Sequence, residues 1–405
     1  MTRHFKRSPF VSFWIEDTPL FDVASFLRGD VEFADRRQTQ LFAASCLTEE
    51  KFPVTLADLR LLAELPADSW SSVAASDVAR LEMLARQGLV VSDSEDPELA
   101  LLRQRFELLA SQEWHPYSAQ YYFLSRERES VARLLPVEKP QTEELAASAT
   151  EEAARYVERF GLPPSAFHSP RRGSETIDLP LVERSAGLYD VLLRRRTTRA
   201  FNTEVPLQLE DLSTLLYYVF GCQGRAQLAP GVVALHKTSP SGGSLHPIEA
   251  YPLVLHVDSL DSGFYHYEVE THSLQPIRQL GRAEARDLAF QIGGQQTHAR
   301  SAHVLIAITA RFRRSFWKYR RRSLAFGAVL LDAGHLSQTF YLVATDLGLG
   351  VFFSAVIDGP KIEEVLGLQA PQEGALAFLG CGIKAETGPD LGLDFEAYLP
   401  QKPAN

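Results

Sequence analysis

The sequence predicts an α+β sandwich rather than a doubly wound parallel sheet, and three observations point that way. Runs at 251–257, 264–268 and 274–278 alternate as strands with no helix between them. Further strand-like runs at 303–309, 351–357 and 375–381 are interrupted by helical stretches at 323–346 and 360–366, so strands and helices intermix over 181–390. The 323–346 stretch carries little charge, which places it centrally and covered on most sides.

With 405 residues, 45% hydrophobic and 23% charged, the chain is long enough for about two or three domains with a globular core. A net charge of -10 argues against a whole-protein affinity for nucleic acid. Cys46, Cys222 and Cys381 are too few and too widely spaced for a disulfide framework or a zinc signature, which fits a reducing cytoplasm. The opening MTRHFKRSPFVSFWIED is basic but lacks the apolar core of a signal peptide, and no apolar run is long enough to span a bilayer. A cytoplasmic protein without membrane contact is expected.

Residues 55–91 form the first unit. Thr55 and Asp58 are spaced as a capping pair ahead of an apolar helix that stops near Pro66. A second helix is expected over 76–87, with Val78, Leu81 and Leu84 on one face and Gly88 as its stop, before a strand at 89–91. Helix, turn, helix and β-wing is a winged-helix-like outline. Asp58, Glu64, Asp68, Asp77 and Glu82 leave it poor in contacts for phosphate, so a peptide-binding or structural role is expected over DNA binding. The aromatics Trp114, Tyr117, Tyr121, Tyr122 and Phe123 read as core or interface. A polar helix over 141–160, ended by Gly161, leads into a linker rich in Pro, Ser and Arg that runs to Pro180. The expected divisions are 1–135, a helix and linker over 136–180, and a last domain over 181–395.

Two stretches of that last domain carry chemistry. Arg194, Arg195, Arg196, Thr197, Thr198 and Arg199 end and follow a helix expected over 188–195. Guanidinium forks beside hydroxyls suit a phosphate, at about 1.5–3 kcal/mol per charged hydrogen bond, though a solvated basic turn has the same composition. The stretch 238–251, TSPSGGSLHPIEAY, brings Ser239, Ser241 and Ser244 together with Gly242, Gly243 and His246, and Pro247 is placed to open a short helix. A ligand explains that mixture, and so does a Ser/Gly surface turn. Gly348-Leu349-Gly350 has Phe353 where a dinucleotide fingerprint needs its third glycine, and neither a P-loop triplet nor a Gly-x-Ser-x-Gly elbow occurs. His246, His256, His266 and His272 lack metal-ligand spacing, so no metal is expected.

Five stretches, taken in order, resemble the motif series of the SagB-type dehydrogenases, a group of the FMN-dependent nitroreductase superfamily. They are RRTTRAF at 195–201, SPSGGSLHP at 239–247, Lys318-Tyr319, DAGHLSQ at 332–338 and Gly348-Leu349-Gly350. The likeness covers the C-terminal part of the chain. It implies a nitroreductase-like FMN-binding sandwich, a mixed sheet flanked by helices, in a homodimer. The implied activity is oxidation of thiazoline or oxazoline rings to thiazoles or oxazoles in a ribosomally made peptide. The implied partners are the precursor peptide and a cyclodehydratase complex.

By the same resemblance Arg195, Arg196, Thr197 and Arg199 meet the phosphate and ribityl oxygens of FMN, while Ser241, Gly242, Ser244 and His246 lie along its rings and tail. Gly348 and Gly350 pass its pyrimidine side, and Lys384 is a further phosphate contact. Thr197, Ala200, Gly327 and Thr339 depart from residues frequent in the group, which touches the substrate side more than the flavin side.

Lys318-Tyr319 resembles the catalytic pair of the group. Azoline oxidation takes a proton from one ring carbon and a hydride from the other, so a base beside the flavin is needed. A lysine serves where neighbouring positive charge disfavours its ammonium form, and Arg311, Arg313, Arg314, Arg320, Arg321 and Arg322 crowd it in sequence. A solvated basic loop is the plain alternative. At the level of function the rivals are an NAD(P)H-dependent flavin reductase acting on dehydroamino acids or small acceptors, a degenerate peptide-binding subunit, and a DNA-binding regulator.

Overall fold

Local signals set the first helices. Thr55 Oγ1 accepts from the Asp58 N–H while the Asp58 carboxylate accepts from the Thr55 N–H at 2.8 Å, a reciprocal capping box ahead of helix Leu56–Glu64. Helix Ala75–Arg86 buries Leu81, Leu84 and Ala85 and ends at Gly88, whose φ of 72° turns the chain so that the Leu89 N–H reaches the Leu84 carbonyl.

The computed structural model describes residues 3–19, 37–126, 154, 157, 158, 161, 162, 186–322 and 324–386. The helix expected over 141–160 and the linker to Pro180 lie outside these, apart from isolated positions. The N-terminal strands are β1 (His4–Arg7), β2 (Val11–Pro19), β3 (Arg37–Ser45), β4 (Glu50–Pro53), β5 (Ser71–Ser72) and β6 (Val90–Ser92). They make two three-stranded sheets, β5-β1-β6 beside the two capped helices and β2-β3-β4. Helices Pro97–Ser111 and Pro116–Leu124 complete this part, each with a proline in its first turn behind a capping side chain, Asp96 and His115.

A hairpin of β7 (Gly224–Ala229) and β8 (Val232–His236) leads into the larger sheet. That sheet has six strands, β9 (Ile248–Val254), β10 (Gly263–Glu268), β11 (Ser273–Gln279), β12 (Val304–Arg311), β13 (Gly350–Ser354) and β14 (Glu373–Gly382), in the order β11-β10-β9-β12-β14-β13. Every pairing between these strands is antiparallel, which corrects the expected mixed sheet. The helical crossovers around β13 are long enough to return the chain in either sense, and local composition does not choose between them. Pro247 does not open a helix. The chain enters β9 at Ile248, three residues earlier than expected, and the Pro247 carbonyl accepts from Arg311 N–H at 2.9 Å, extending the ladder.

Register decides what meets at each end of the sheet. Ala310 pairs with Ile248 and Arg311 with Glu373. The loop entering β9, the helix Phe312–Tyr319 leaving β12 and the turn entering β14 therefore emerge at one end. At the other end Gly350 pairs with Gly382, and the strand-like segment through Phe201 is bridged to Lys384.

One apolar cluster runs through both parts of the chain, joining Phe10, Trp114, Tyr122 and Phe123 to Phe312, Phe316, Phe326 and Leu379. Trp114, 2% exposed, lies with its ring centroid 4.7 Å from Phe312 and 5.0 Å from Phe316 and donates its indole N–H to the Pro371 carbonyl at 3.0 Å. Tyr122 donates to Glu363, which also receives Arg126. Three of the aromatics read as core are buried, Trp114, Tyr122 and Phe123, whereas Tyr117 and Tyr121 stand exposed. Helix Leu324–Asp346 is central as expected, but within the single chain a stripe through Leu324, Leu330 and Leu331 is left open.

Candidate functional site

The loop ahead of β9 is held by the central helix. Asp332, 4% exposed, takes the Ser241 hydroxyl at 2.5 Å and the Gly242 N–H at 3.1 Å. One and two turns on, His335 Nδ1 faces the Pro240 carbonyl at 3.2 Å and Thr339 shares a hydrogen bond with Ser239 at 2.6 Å. Positions 332, 335 and 339 lie on one face of a helix, so three side chains staple one loop. Ser241 Oγ also accepts from the His246 N–H at 2.9 Å, and Ser244 Oγ and His246 Nε2 both reach the Leu235 carbonyl of β8, at 2.8 and 3.0 Å. That contact fixes the proton of His246 on Nε2. Burial pushes the His246 pKa down, helped by the positive charge of Lys237, and keeps the ring neutral.

This loop is bent hard. Gly243, Ser244 and His246 all have positive φ, at 66°, 58° and 45°, and two of them are not glycine. Non-glycine residues hold such conformations only where surrounding contacts over-determine them.

Lys318 and Tyr319 meet this loop from the helix Phe312–Tyr319, which buries Phe312, Ser315 and Phe316 and leaves Lys318 exposed. A Cβ at Gly243 would stand 2.6 Å from Lys318 Nζ, and one at Gly242 3.2 Å from the Tyr319 hydroxyl. The two glycines thus give both side chains room against the backbone. Arg314 ties helix to loop by donating to the Leu245 carbonyl at 2.8 Å. The neighbouring arginines are directed to carboxylates: Arg311 lies 2.5 Å from Glu249, and Arg313, Arg320 and Arg321 surround Glu113.

The Arg/Thr segment lies farther along the same central helix. Thr197 Oγ1 and the Tyr341 hydroxyl are 3.1 Å apart, and the Arg195 guanidinium lies 5.5 Å from the Tyr341 ring centroid. From Asp332 to Tyr341 is about 14 Å of helix at 1.5 Å per residue. Arg196 is spent on the Leu193 and Arg195 carbonyls. Arg199 differs, because its Nη1 is buried with no hydrogen-bond partner among the described residues. A buried guanidinium nitrogen left so is costly and calls for an anion. The residues therefore fit a phosphate-bearing group here.

Gly348 has a φ of 76° and turns the end of the central helix, and Gly350 lies against Thr198, where a Cβ would come within 2.8 Å of the methyl. Gly348 thus has a conformational reason of its own and Gly350 a packing one. Lys384 is exposed and its backbone is bridged to Phe201, beside Arg199, at the end of β14 opposite Lys318. The structure thus gathers Ser241, Gly242, Ser244, His246, Lys318 and Tyr319 in one place, sets Arg195 and Thr197 against Tyr341, and carries Gly350 and Lys384 against the chain on either side of Arg199, at Thr198 and Phe201.

Comparison with known proteins bears on this arrangement. The protein MJ1384 of Methanocaldococcus jannaschii, which carries a nitroreductase name, is 32% identical over 210 residues, covering 97% of its length and 52% of this chain. This chain belongs to the nitroreductase family. The nitroreductase family model matches residues 192–383, which holds every site residue named here except Lys384. The family is one of flavin-binding oxidoreductases. The trifolitoxin-processing protein TfxB of Rhizobium leguminosarum is 30% identical over 225 residues, 53% of this chain, and this chain spans 58% of its length. Among solved structures, a chain of the Escherichia coli microcin synthetase complex with truncated pro-microcin bound overlays 65% of this chain and 99% of its own at 18% identity, with a TM-score of 0.42. That score is too low to carry an argument.

Asp332, His335 and Tyr341 of this candidate site have no role of their own in the sequence analysis, and Thr339 enters it only as a departure from the resembled group. The signal for Asp332 was present, since an acid inside a weakly charged central helix must find partners when buried. Nothing local marks Tyr341. Among the described residues no group of His, Cys, Asp and Glu is arranged to hold a metal, and no helix is long and apolar enough to cross a membrane.

Proposed function

We propose that this chain is an FMN-dependent dehydrogenase in the maturation of a ribosomally made peptide, oxidising azoline rings to azoles. The observation that carries the reading is the meeting of Lys318 and Tyr319 with the Gly242-Gly243 turn, which sets a lysine and a phenol against a pre-shaped polar loop. The likeness to a trifolitoxin-processing protein supports a peptide as the substrate. Arg195, Thr197 and Arg199, with Lys384 beside them, would hold the FMN phosphate. Ser241, Gly242, Ser244 and His246 would lie along its rings, and bound FMN supplies a two-electron acceptor for the substrate hydride.

The protein's own residues do the remaining work. Lys318 Nζ accepts the proton released from the ring carbon, and Tyr319 orients or relays it. Asp332 holds the loop without touching substrate. The open stripe Leu324, Leu330 and Leu331 fits a homodimer contact across the central helix. The N-terminal part, which would be a winged-helix-like unit, would receive the peptide or a cyclodehydratase in the cytoplasm.

The test is anaerobic mixing of the purified yellow protein with a synthetic thiazoline peptide, followed at the visible flavin band. Bleaching without NAD(P)H supports the reading. Bleaching by NAD(P)H alone would move the assignment to a flavin reductase, and a colourless protein that takes up no FMN would leave a peptide-binding subunit.

A further inference from the structure

Glu113 sits just past helix Pro97–Ser111 with a φ of 63°, at the turn where glycine is the usual residue. Its N–H reaches the Ala110 carbonyl and that of Trp114 reaches the Leu109 carbonyl, so the backbone closes the helix in the left-handed form. A carboxylate kept at such a position invites the question of what it serves.

Three guanidinium groups surround it, one from the helix Phe312–Tyr319 and two from the residues just past its end. Glu113 Oε1 is 3.6 Å from Arg313 and 3.9 Å from Arg320, and Oε2 is 3.7 Å from Arg321. Arg320 closes the helix Phe312–Tyr319 and has a positive φ itself, 52°. Two residues with positive φ from distant parts of the chain therefore face each other across an ion pair, and Lys318 and Tyr319 directly precede the second of them. Packing of the helix is supplied separately: Trp114 holds its apolar face through Phe312 and Phe316. The carboxylate is left with the polar end, where three positive charges would otherwise repel one another next to Lys318.

We infer that Glu113 is a positioning residue for the helix end that carries Lys318 and Tyr319, so that the N-terminal part completes the site rather than only delivering a peptide to it. The inference rests on the proposed role of Lys318. It separates two jobs in neighbouring residues, with Trp114 keeping the helix packed and Glu113 setting the register of its last turn against Gly242 and Gly243.

The test uses the full-length holoprotein with Glu113→Gly, Glu113→Gln and Glu113→Asp. Glycine relieves the backbone, so that variant should melt no lower than the parent. Both Gly and Gln variants should nevertheless lose about 10- to 100-fold in kcat on a synthetic thiazoline peptide, as expected for a misplaced reacting group, with KM and bound flavin within about twofold of the parent. Aspartate should recover part of the loss. Amide hydrogen exchange over residues 314–322 should quicken in the Gly and Gln variants alone. Unchanged kcat in those two variants overturns the inference, as does a fall in kcat matched by falls in melting temperature and flavin content. If the parent does not oxidise the thiazoline, the proposed function fails separately. The exchange data then decide: equal exchange in parent and variants overturns the positioning role, and faster exchange in the two variants upholds it.

Discussion

The two halves of the site are built differently. In the loop ahead of β9 the polar side chains are already matched to protein partners: Ser241 to Asp332, Ser244 and His246 to the Leu235 carbonyl, Ser239 to Thr339. In the Arg/Thr segment Arg195 lies over a ring and Arg199 keeps a buried Nη1 without a hydrogen-bond partner among the described residues. The first is a shape set in advance and the second is charge held in reserve. A cofactor with an anionic tail and a flat, weakly charged head asks for that division, since an anion needs donors not yet satisfied and a ring system needs a rigid wall.

The contrast can be broken at several points. Lys318→Ala should leave both halves intact, keep flavin and cut azoline turnover by about 100-fold or more, the range of a lost general base; activity within a few fold of the parent would remove Lys318 from the chemistry. Asp332→Ala should undo the preset half. With two hydrogen bonds to a buried carboxylate lost, about 3 kcal/mol of stability should go, read by denaturant unfolding, whereas Asp332→Asn keeps an acceptor for Gly242 and should lose less.

Arg199→Ala should act on the reserved half alone. Flavin affinity should weaken by about 1.5–3 kcal/mol, measured by titration of the apoprotein, with little effect on melting in the absence of flavin. Gly243→Ala adds a Cβ at positive φ and within 2.6 Å of Lys318 Nζ, so a loss of about 1–2 kcal/mol should come with a shifted lysine and reduced turnover.

The smallest effect lies in the sheet beneath the loop. Hydrogen bonds to Glu249 and then Glu268 hold the His266 pKa above its ordinary 6.5. A raised folded-state value means the stabilisation is complete below pH 6.5 and is lost as pH climbs through that higher value. His266→Gln should flatten this limb of the stability curve, and an unchanged limb would assign it to another group.

Much of this was legible beforehand. The capping box at Thr55 and Asp58, the stop at Gly88 and the strands around 264–268 and 375–381 came from rules that act within a few residues, and they were found where expected. The N-terminal strands β1 to β4 and the helix Arg282–Ile292 have no counterpart in the sequence analysis, although the apolar runs at 11–15 and 41–44 mark β2 and β3. The composition of the helix Phe312–Tyr319 fits a solvated basic loop equally well. Its charges dominate the local composition, and its three buried residues make sense only with Trp114 on the other side.

Residue types and spacing thus sufficed for two of the site's ingredients, a cationic segment and a Ser/Gly loop, while the Lys-Tyr pair came only from the resemblance to a family. Their assembly depended on antiparallel register, which puts Ile248 opposite Ala310 and so brings Lys318 to Gly243, 75 positions away. Side-chain alternation specifies which face of a strand is buried but not which distant strand lies beside it, and a shift of register would have sent loop and lysine to different heights. The same holds for Glu113 and its three arginines. Each is an ordinary surface charge in the sequence, and only the packing of Trp114 against Phe312 and Phe316 makes them neighbours.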